Sequence, residues 1–221
     1  MTLLTDIQKK LNVSQTSVWD TATERAVARA IGLDIGKSMK DPKAFYDIVR
    51  GLTGPLSNTR FEIVEAILVA ASHWSVGWLA YGLATAWHEA KFEPVREIGR
   101  GKGKAYGEIN ATGKAPYGRG LVQITWDRNY KTIDKALGLN GKLAGDYDLA
   151  LNKDIAVAAL VVGMEQGLYT GKSLASYIAP GLGTMPEFVQ ARRIINIMDR
   201  AQLIADYADK FKEAILAGRW S

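Results

Sequence analysis

Apolar residues recur at helical spacing over most of this chain, and they define nearly all of its expected elements. Leu3, Leu4, Ile7 and Leu11 fall on one helix face. A turn around Asn12 and Ser14 leads to a second short helix over residues 24–31, capped by Thr21 or Thr23 and ended by Gly32. Residues 36–42 read as a boundary. Pro42 opens a helix over 43–50, which Gly51, Gly54 and Pro55 end. Asn58 or Thr59 caps a helix over 60–71, with Phe61, Val64, Ile67, Leu68 and Ala71 along one face.

The run 78–89 is apolar on nearly every side and reads as a central helix ending in Glu89. Pro94 breaks any helical continuation, so Glu97 leaves the helix axis. Residues 98–120 hold seven glycines and no helical period, which predicts a small irregular or β-rich lobe. Leu121, Val122, Gln123, Ile124 and Thr125 alternate as a short strand. Beyond it the pattern is helical again over 130–137, 155–164, 188–198 and 203–216, with a loop over 181–186. The expected fold is mainly α: a small N-terminal helical module over 1–38, then a larger helical domain over 39–221 with the irregular lobe inserted.

The chain has 221 residues, 48 % hydrophobic and 23 % charged, the balance of an ordinary globule. There is no cysteine, which excludes a disulfide framework and a Cys-based zinc site. The two histidines, His73 and His88, are too few for a His-only metal centre, and no HExxH motif is present. No metal and no cofactor are expected. Gly171-Lys172-Ser173 lacks the preceding phosphate loop of a nucleotide site. No signal peptide is visible, and no apolar run approaches the roughly 20 residues that span a bilayer. A soluble cytoplasmic protein with no stable membrane insertion is expected. The formal charge is +5, and residues 91–120 alone carry +4, from seven Lys or Arg against three Glu. That bias favours an anionic partner.

The candidate chemistry sits beside this basic segment. A glycosidase needs an acid that protonates the leaving oxygen, and an inverting one needs a base for water roughly 6.5–9.5 Å away. Glu89 fits the acid: it ends an apolar helix, where partial burial and the helix C-terminus both favour a protonated carboxyl. Glu97, next to Arg96 and Arg100, fits the base. Both are equally readable as a helix-end charge and a surface ion pair. His88, adjacent to Glu89 on the helix, reads as a structural histidine. Gln123 and Thr125 share a strand face, where they could hold water or an N-acetyl group. Tyr106, Tyr117, Trp126 and Tyr130 could stack on sugar faces, or simply fill a core. Asn196, after Arg192 and Arg193, could face the same cleft.

Four segments carry a family resemblance. They are KAFYDIVR (43–50), LAYGLATAWHEAKFEPVRE (79–97), PYGRGLVQITWDRNY (116–130) and ARRIIN (191–196). With its HE pair, PVRE turn and YGRGxxQIT segment, the chain resembles the glycoside hydrolase family 19 domain of chitinases and phage endolysins, most closely the endolysin branch. The resemblance implies a lysozyme- or chitinase-like helical domain and inverting hydrolysis of β-1,4 bonds next to N-acetylated sugars. It makes Glu89 the general acid and has Thr125 position water or substrate. Gln123, Tyr117 and Asn196 then line the cleft. The base is Glu97, as in the compact phage form, with Glu108 as the fallback. Residues 3–31 loosely resemble a peptidoglycan-binding helical module. The implied partner is bacterial peptidoglycan, met by a monomer made in the host cytoplasm and released to the periplasm through a separate holin-like protein. Chitinase is the near alternative. A nucleic-acid-binding protein and a non-catalytic wall binder are the others, although the helix over 24–31 carries Glu24 among its arginines and has no dense basic face.

Overall fold

The computed structural model describes residues 3–11, 13, 23, 27, 30, 36–110 and 113–221. The chain divides into two compact units, Met1–Lys37 and Ser38–Ser221.

In the first unit, α1 spans Leu3–Lys10. Its buried residue is polar: Gln8 donates Nε2 to Thr23 Oγ1 at 2.8 Å, and both are fully buried. A buried amide without that acceptor would cost about 1–3 kcal/mol. Thr23 lies in helical backbone and so is not a cap. Asn12, Ser14, Thr21, Gly32 and most of the helix expected over 24–31 lie outside the described residues.

The second unit is mainly α-helical. Helix α2, Pro42–Thr53, starts with Asp41 accepting from the Ala44 N–H and with Pro42 in its first turn, and it stops at Gly54. Gly51 is inside it rather than at its end. Helix α3, Asn58–Ala70, is capped by Ser57, one residue before the expected caps. Its buried face is Ile63, Val64, Ile67 and Leu68, whereas Phe61 is exposed.

Helix α4, Val76–Ala90, is the centre of the unit, with eleven of its fifteen residues buried. Ser75 caps it, and Lys91 in the left-handed region ends it, three residues before Pro94. Phe92 is left-handed as well. Two such residues cost about 1–2 kcal/mol each. Phe92 is fully buried against Trp87 and Phe211, with ring centroids at 5.5 and 5.8 Å. Burying that ring returns about 2–3 kcal/mol and helps hold the turn closed.

Five further α-helices complete the unit among the described residues. They are α5 (Asp127–Ala136), the short α6 (Lys142–Gly145), α7 (Lys153–Gln166), α8 (Met185–Ala191) and α9 (Ala201–Ala217). Helix α9 lies along α4, α2 and α8, and α7 lies along α3. The helix expected over 188–198 is earlier and shorter. Thr184 and Glu187 form a capping box that starts α8 inside the expected loop, and a 3-10 turn over Arg192–Ile194 ends it.

The lobe between α4 and α5 is irregular. Its only sheet among the described residues pairs β1 (Val95–Arg96) antiparallel with β2 (Arg119–Gly120).

Candidate functional site

Glu89 stands on the last turn of α4, where the buried helix reaches a cleft of about 680 Å³. Its carboxylate receives the Arg192 guanidinium at 2.6 Å. The Arg192 side chain is 3 % exposed and that of Glu89 16 %. Arg192 also donates Nε to the Asp199 carbonyl. This pair differs in kind from exposed ones such as Lys43–Asp47. Exposed pairs contribute about 0–1 kcal/mol, whereas removing one partner of a buried pair costs about 3–5. Arg192 therefore fixes where the Glu89 carboxylate points.

Glu97 is held by the backbone of the irregular lobe. Its N–H donates to the Gly118 carbonyl at 2.8 Å, one step beyond the β1–β2 pairing. Its carboxylate receives the Tyr106 hydroxyl at 3.0 Å and the Gly118 N–H at 3.1 Å. Partial burial and the adjacent Glu97 push the Tyr106 phenol up, so it stays a donor. A Cβ on Gly118 would come within 2.8 Å of Gln123 Oε1, so a larger residue here would push the Gln123 side chain aside.

The sheet behind Glu97 sets two like charges side by side, because its register pairs Arg96 with Arg119. Like charges across a strand pair repel. Asp148 removes the conflict by accepting from Arg96 at 2.7 Å and from Arg119 at 2.6 Å. Those arginines, Arg96 first, hold the Asp148 carboxyl down at about 2 against the opposing effect of burial.

The segment expected as a strand over 121–125 is a tight turn instead. Arg119 and Ile124 bridge across it, with N···O distances of 2.8 and 3.2 Å. Gly120, at φ +85°, packs against the Ala150 carbonyl. Gln123 and Trp126 are also left-handed. Alternation of apolar and polar residues looks the same in a strand and in such a turn, and it is the backbone that separates them. Gln123 donates Nε2 to the Val95 and Gly120 carbonyls, which leaves its Oε1 as an acceptor. The Thr125 hydroxyl donates to the Gln123 carbonyl at 2.8 Å.

The cleft brings together Glu89, Glu97, Tyr106, Gln123, Thr125, Trp126 and Asn196. Trp126 is 44 % exposed and meets Tyr106 edge to face at 5.3 Å. Asn196 is exposed, and its side chain accepts from the Ile197 N–H.

Three of the expected ligand-binding residues lie elsewhere. Tyr130 is fully buried and donates its hydroxyl to the Tyr117 carbonyl. The Tyr117 ring is covered by the Arg119 guanidinium, 3.6 Å from its centroid. Both tyrosines build the wall behind the site. His88 is half-buried beside Tyr207, outside the cleft lining. Burial pulls its imidazole below the ordinary value, with Arg192 adding to the effect and Glu89 opposing it. Glu108, the fallback base, is exposed and also outside the lining.

Sequence reading missed four residues at this site. Arg192 was seen only as a neighbour of Asn196, and a lone arginine on an otherwise apolar face was its signal. The Gly118 N–H acts through backbone, which side-chain patterns do not show. Arg128 and Tyr169 also line the cleft, and Tyr169 is anchored by a hydroxyl bond to the Ala159 carbonyl.

Two carboxylates therefore face one cleft from unlike supports, with aromatic and amide groups beside them. Its volume lies in the range of ligand pockets. Among the described residues, no group of three or more Asp, Glu or His side chains could hold a metal ion. No described helix is long and apolar enough to cross a membrane. No family model, no curated protein and no solved structure matches this chain.

Proposed function

We propose that the chain hydrolyses β-1,4 glycosidic bonds of bacterial peptidoglycan with inversion, as a phage-type glycoside hydrolase of family 19. The observation that carries this reading is the cleft in which Glu89 and Glu97 face a common space lined by Gln123, Thr125, Tyr106 and Trp126.

Glu89, protonated on Oε2 because Arg192 engages Oε1, gives that proton to the glycosidic oxygen as the bond from that oxygen to the anomeric carbon breaks. Glu97 takes a proton from a water that attacks the same carbon on the opposite face. The attacking oxygen becomes the new hydroxyl, so a β bond yields an α reducing end. The leaving sugar departs with the proton from Glu89. The donors on Glu97, Tyr106 and Gly118, orient its carboxylate and leave each oxygen capacity to accept from that water. Gln123 Oε1 is the acceptor offered to a sugar N-acetamide N–H. The exposed Trp126 and its neighbour Tyr106 offer ring faces to the sugar.

In the same reading, unit Ser38–Ser221 is a lysozyme- or chitinase-like domain and unit Met1–Lys37 a wall-binding module. The enzyme works as a monomer and reaches the wall through a separate holin-like protein.

The test is mass spectrometry of fragments released from Gram-negative sacculi. New reducing ends on the glycan are expected. Glu89→Gln should cut their rate by about 10²–10⁴-fold, the usual contribution of a general acid or base. Because it also leaves the buried Arg192 without its charge partner, the rate is taken per folded molecule, with the folded fraction read by circular dichroism. Cleavage at amide bonds, or an undiminished rate in the variant, would overturn the reading.

A further inference from the structure

The basic residues of the cleft are not equivalent. Arg96 lines it, but Asp148 occupies its guanidinium at 2.7 Å. Arg128, at the start of α5, lines it too, and among the described residues it has no carboxylate partner. The nearest acid in sequence, Asp127, is already taken by the Tyr147 hydroxyl at 2.6 Å and by Lys131 at 2.7 Å. Arg128 is exposed and follows by two residues the exposed Trp126. The loop leading to Tyr106 adds Arg100, Lys102 and Lys104, all exposed and without ion pairs among the described residues. A guanidinium without a carboxylate partner, in a cleft that also carries an exposed aromatic ring, is a site for a carboxylate carried by a sugar, because the planar fork binds a carboxylate through two parallel bonds.

We propose that Arg128 sets the substrate preference of this cleft by receiving a carboxylate on the glycan, so that carboxylate-bearing strands are taken over neutral N-acetylglucosamine polymers. The inference rests on the glycosidase reading above for the position of the glycan. The carboxylate has two possible sources, the lactyl ether of N-acetylmuramic acid and the stem peptide attached to it.

The experiment measures Kd of the full chain, in the Glu89→Gln background so that no probe is consumed. Three probes are used: glycan strands with stem peptides, strands stripped by an amidase so that only free lactyl carboxylates remain, and chitin oligosaccharides. The readout is the ratio of the neutral to the carboxylate-bearing Kd. Arg128→Gln should lower that ratio about three- to tenfold at low salt. Arg128→Lys should keep part of it, and Arg128→Glu should lower it further. A drop confined to peptide-bearing strands assigns the stem peptide, and one confined to stripped strands assigns the lactyl group. An unchanged ratio, or an equal loss on all three probes, overturns the proposal. The glycosidase reading is scored separately, by reducing ends from the chain with Glu89 intact. Arg128-dependent preference without reducing ends would sink that reading and leave the subsite standing. Reducing ends with an unmoved ratio would do the reverse.

Discussion

Glu89 and Glu97 face the same cleft, but opposite kinds of structure hold them. Glu89 rides on α4, a helix buried on nearly every side, and is fixed by one charged partner that arrives from 103 residues away. Glu97 belongs to a glycine-rich lobe with two-residue strands, and it is fixed by a backbone N–H and a phenol from the lobe itself. The first carboxylate depends on the core and on a buried ion pair. The second depends on local turns that keep Gly118 close. Damage to the first should therefore appear as lost stability. Damage to the second should appear as lost positioning in a protein that still folds.

The sharpest way to break this contrast is Arg192→Met. It leaves the mostly buried Glu89 without its partner, and urea unfolding should record a loss of about 3–5 kcal/mol. Adding Glu89→Gln should recover a large part of it, because the two residues act as one unit. A loss below about 1 kcal/mol would class the pair with surface ion pairs and remove the asymmetry.

Tyr106→Phe probes the other side. It removes one of the two donors on Glu97 from a partly exposed site. Stability should change by less than about 1 kcal/mol, while the hydrolysis rate falls about tenfold as the carboxylate loses alignment. Equal effects on both would mean that the lobe is as integral to folding as the core helix.

The smallest effect concerns pH. Burial holds His88 below its ordinary value, so the unfolded chain binds more protons than the folded one just under pH ~6.5. The stability this supplies is present above pH ~6.5 and is lost as pH falls through the lower folded value. Asp148, held down at about 2, behaves alike in a more acidic window: its contribution is present above pH ~4 and lost on the way to about 2. His88→Gln should flatten the urea midpoint against pH just below pH ~6.5 and leave the slope below pH ~4, where Asp148 titrates, unchanged. An unaltered slope in the upper window would mean that His88 is not the group being titrated.

The contrast also explains how much could be read from the sequence. The helix bearing Glu89 was legible because its apolar residues leave no polar face, and Ser75 and Lys91 only moved its ends. That the chain turns away before Glu97 was legible from Pro94, although the left-handed Lys91 and Phe92 make the turn. The Arg192 bond was not legible, because a pair joined across 103 residues leaves no local period. Gln123 and Thr125 were picked out as a strand face, yet a turn closed between Arg119 and Ile124 carries both into the cleft lining. Tyr117 and Tyr130 were read as ligand platforms because an aromatic ring scores alike in a core and in a cleft. Only the Tyr130 bond to the Tyr117 carbonyl and the cover of Arg119 separate the two cases.

The central claim is that the two carboxylates work as acid and base on opposite faces of one anomeric carbon. Proton NMR of the first products from a soluble β-1,4 glycan strand tests it most directly, recorded before the reducing ends equilibrate. The account predicts α-anomeric reducing ends at the earliest time points, decaying to the equilibrium mixture. β-anomeric ends appearing first would contradict it, since Glu97 would then be acting as a nucleophile or not at all.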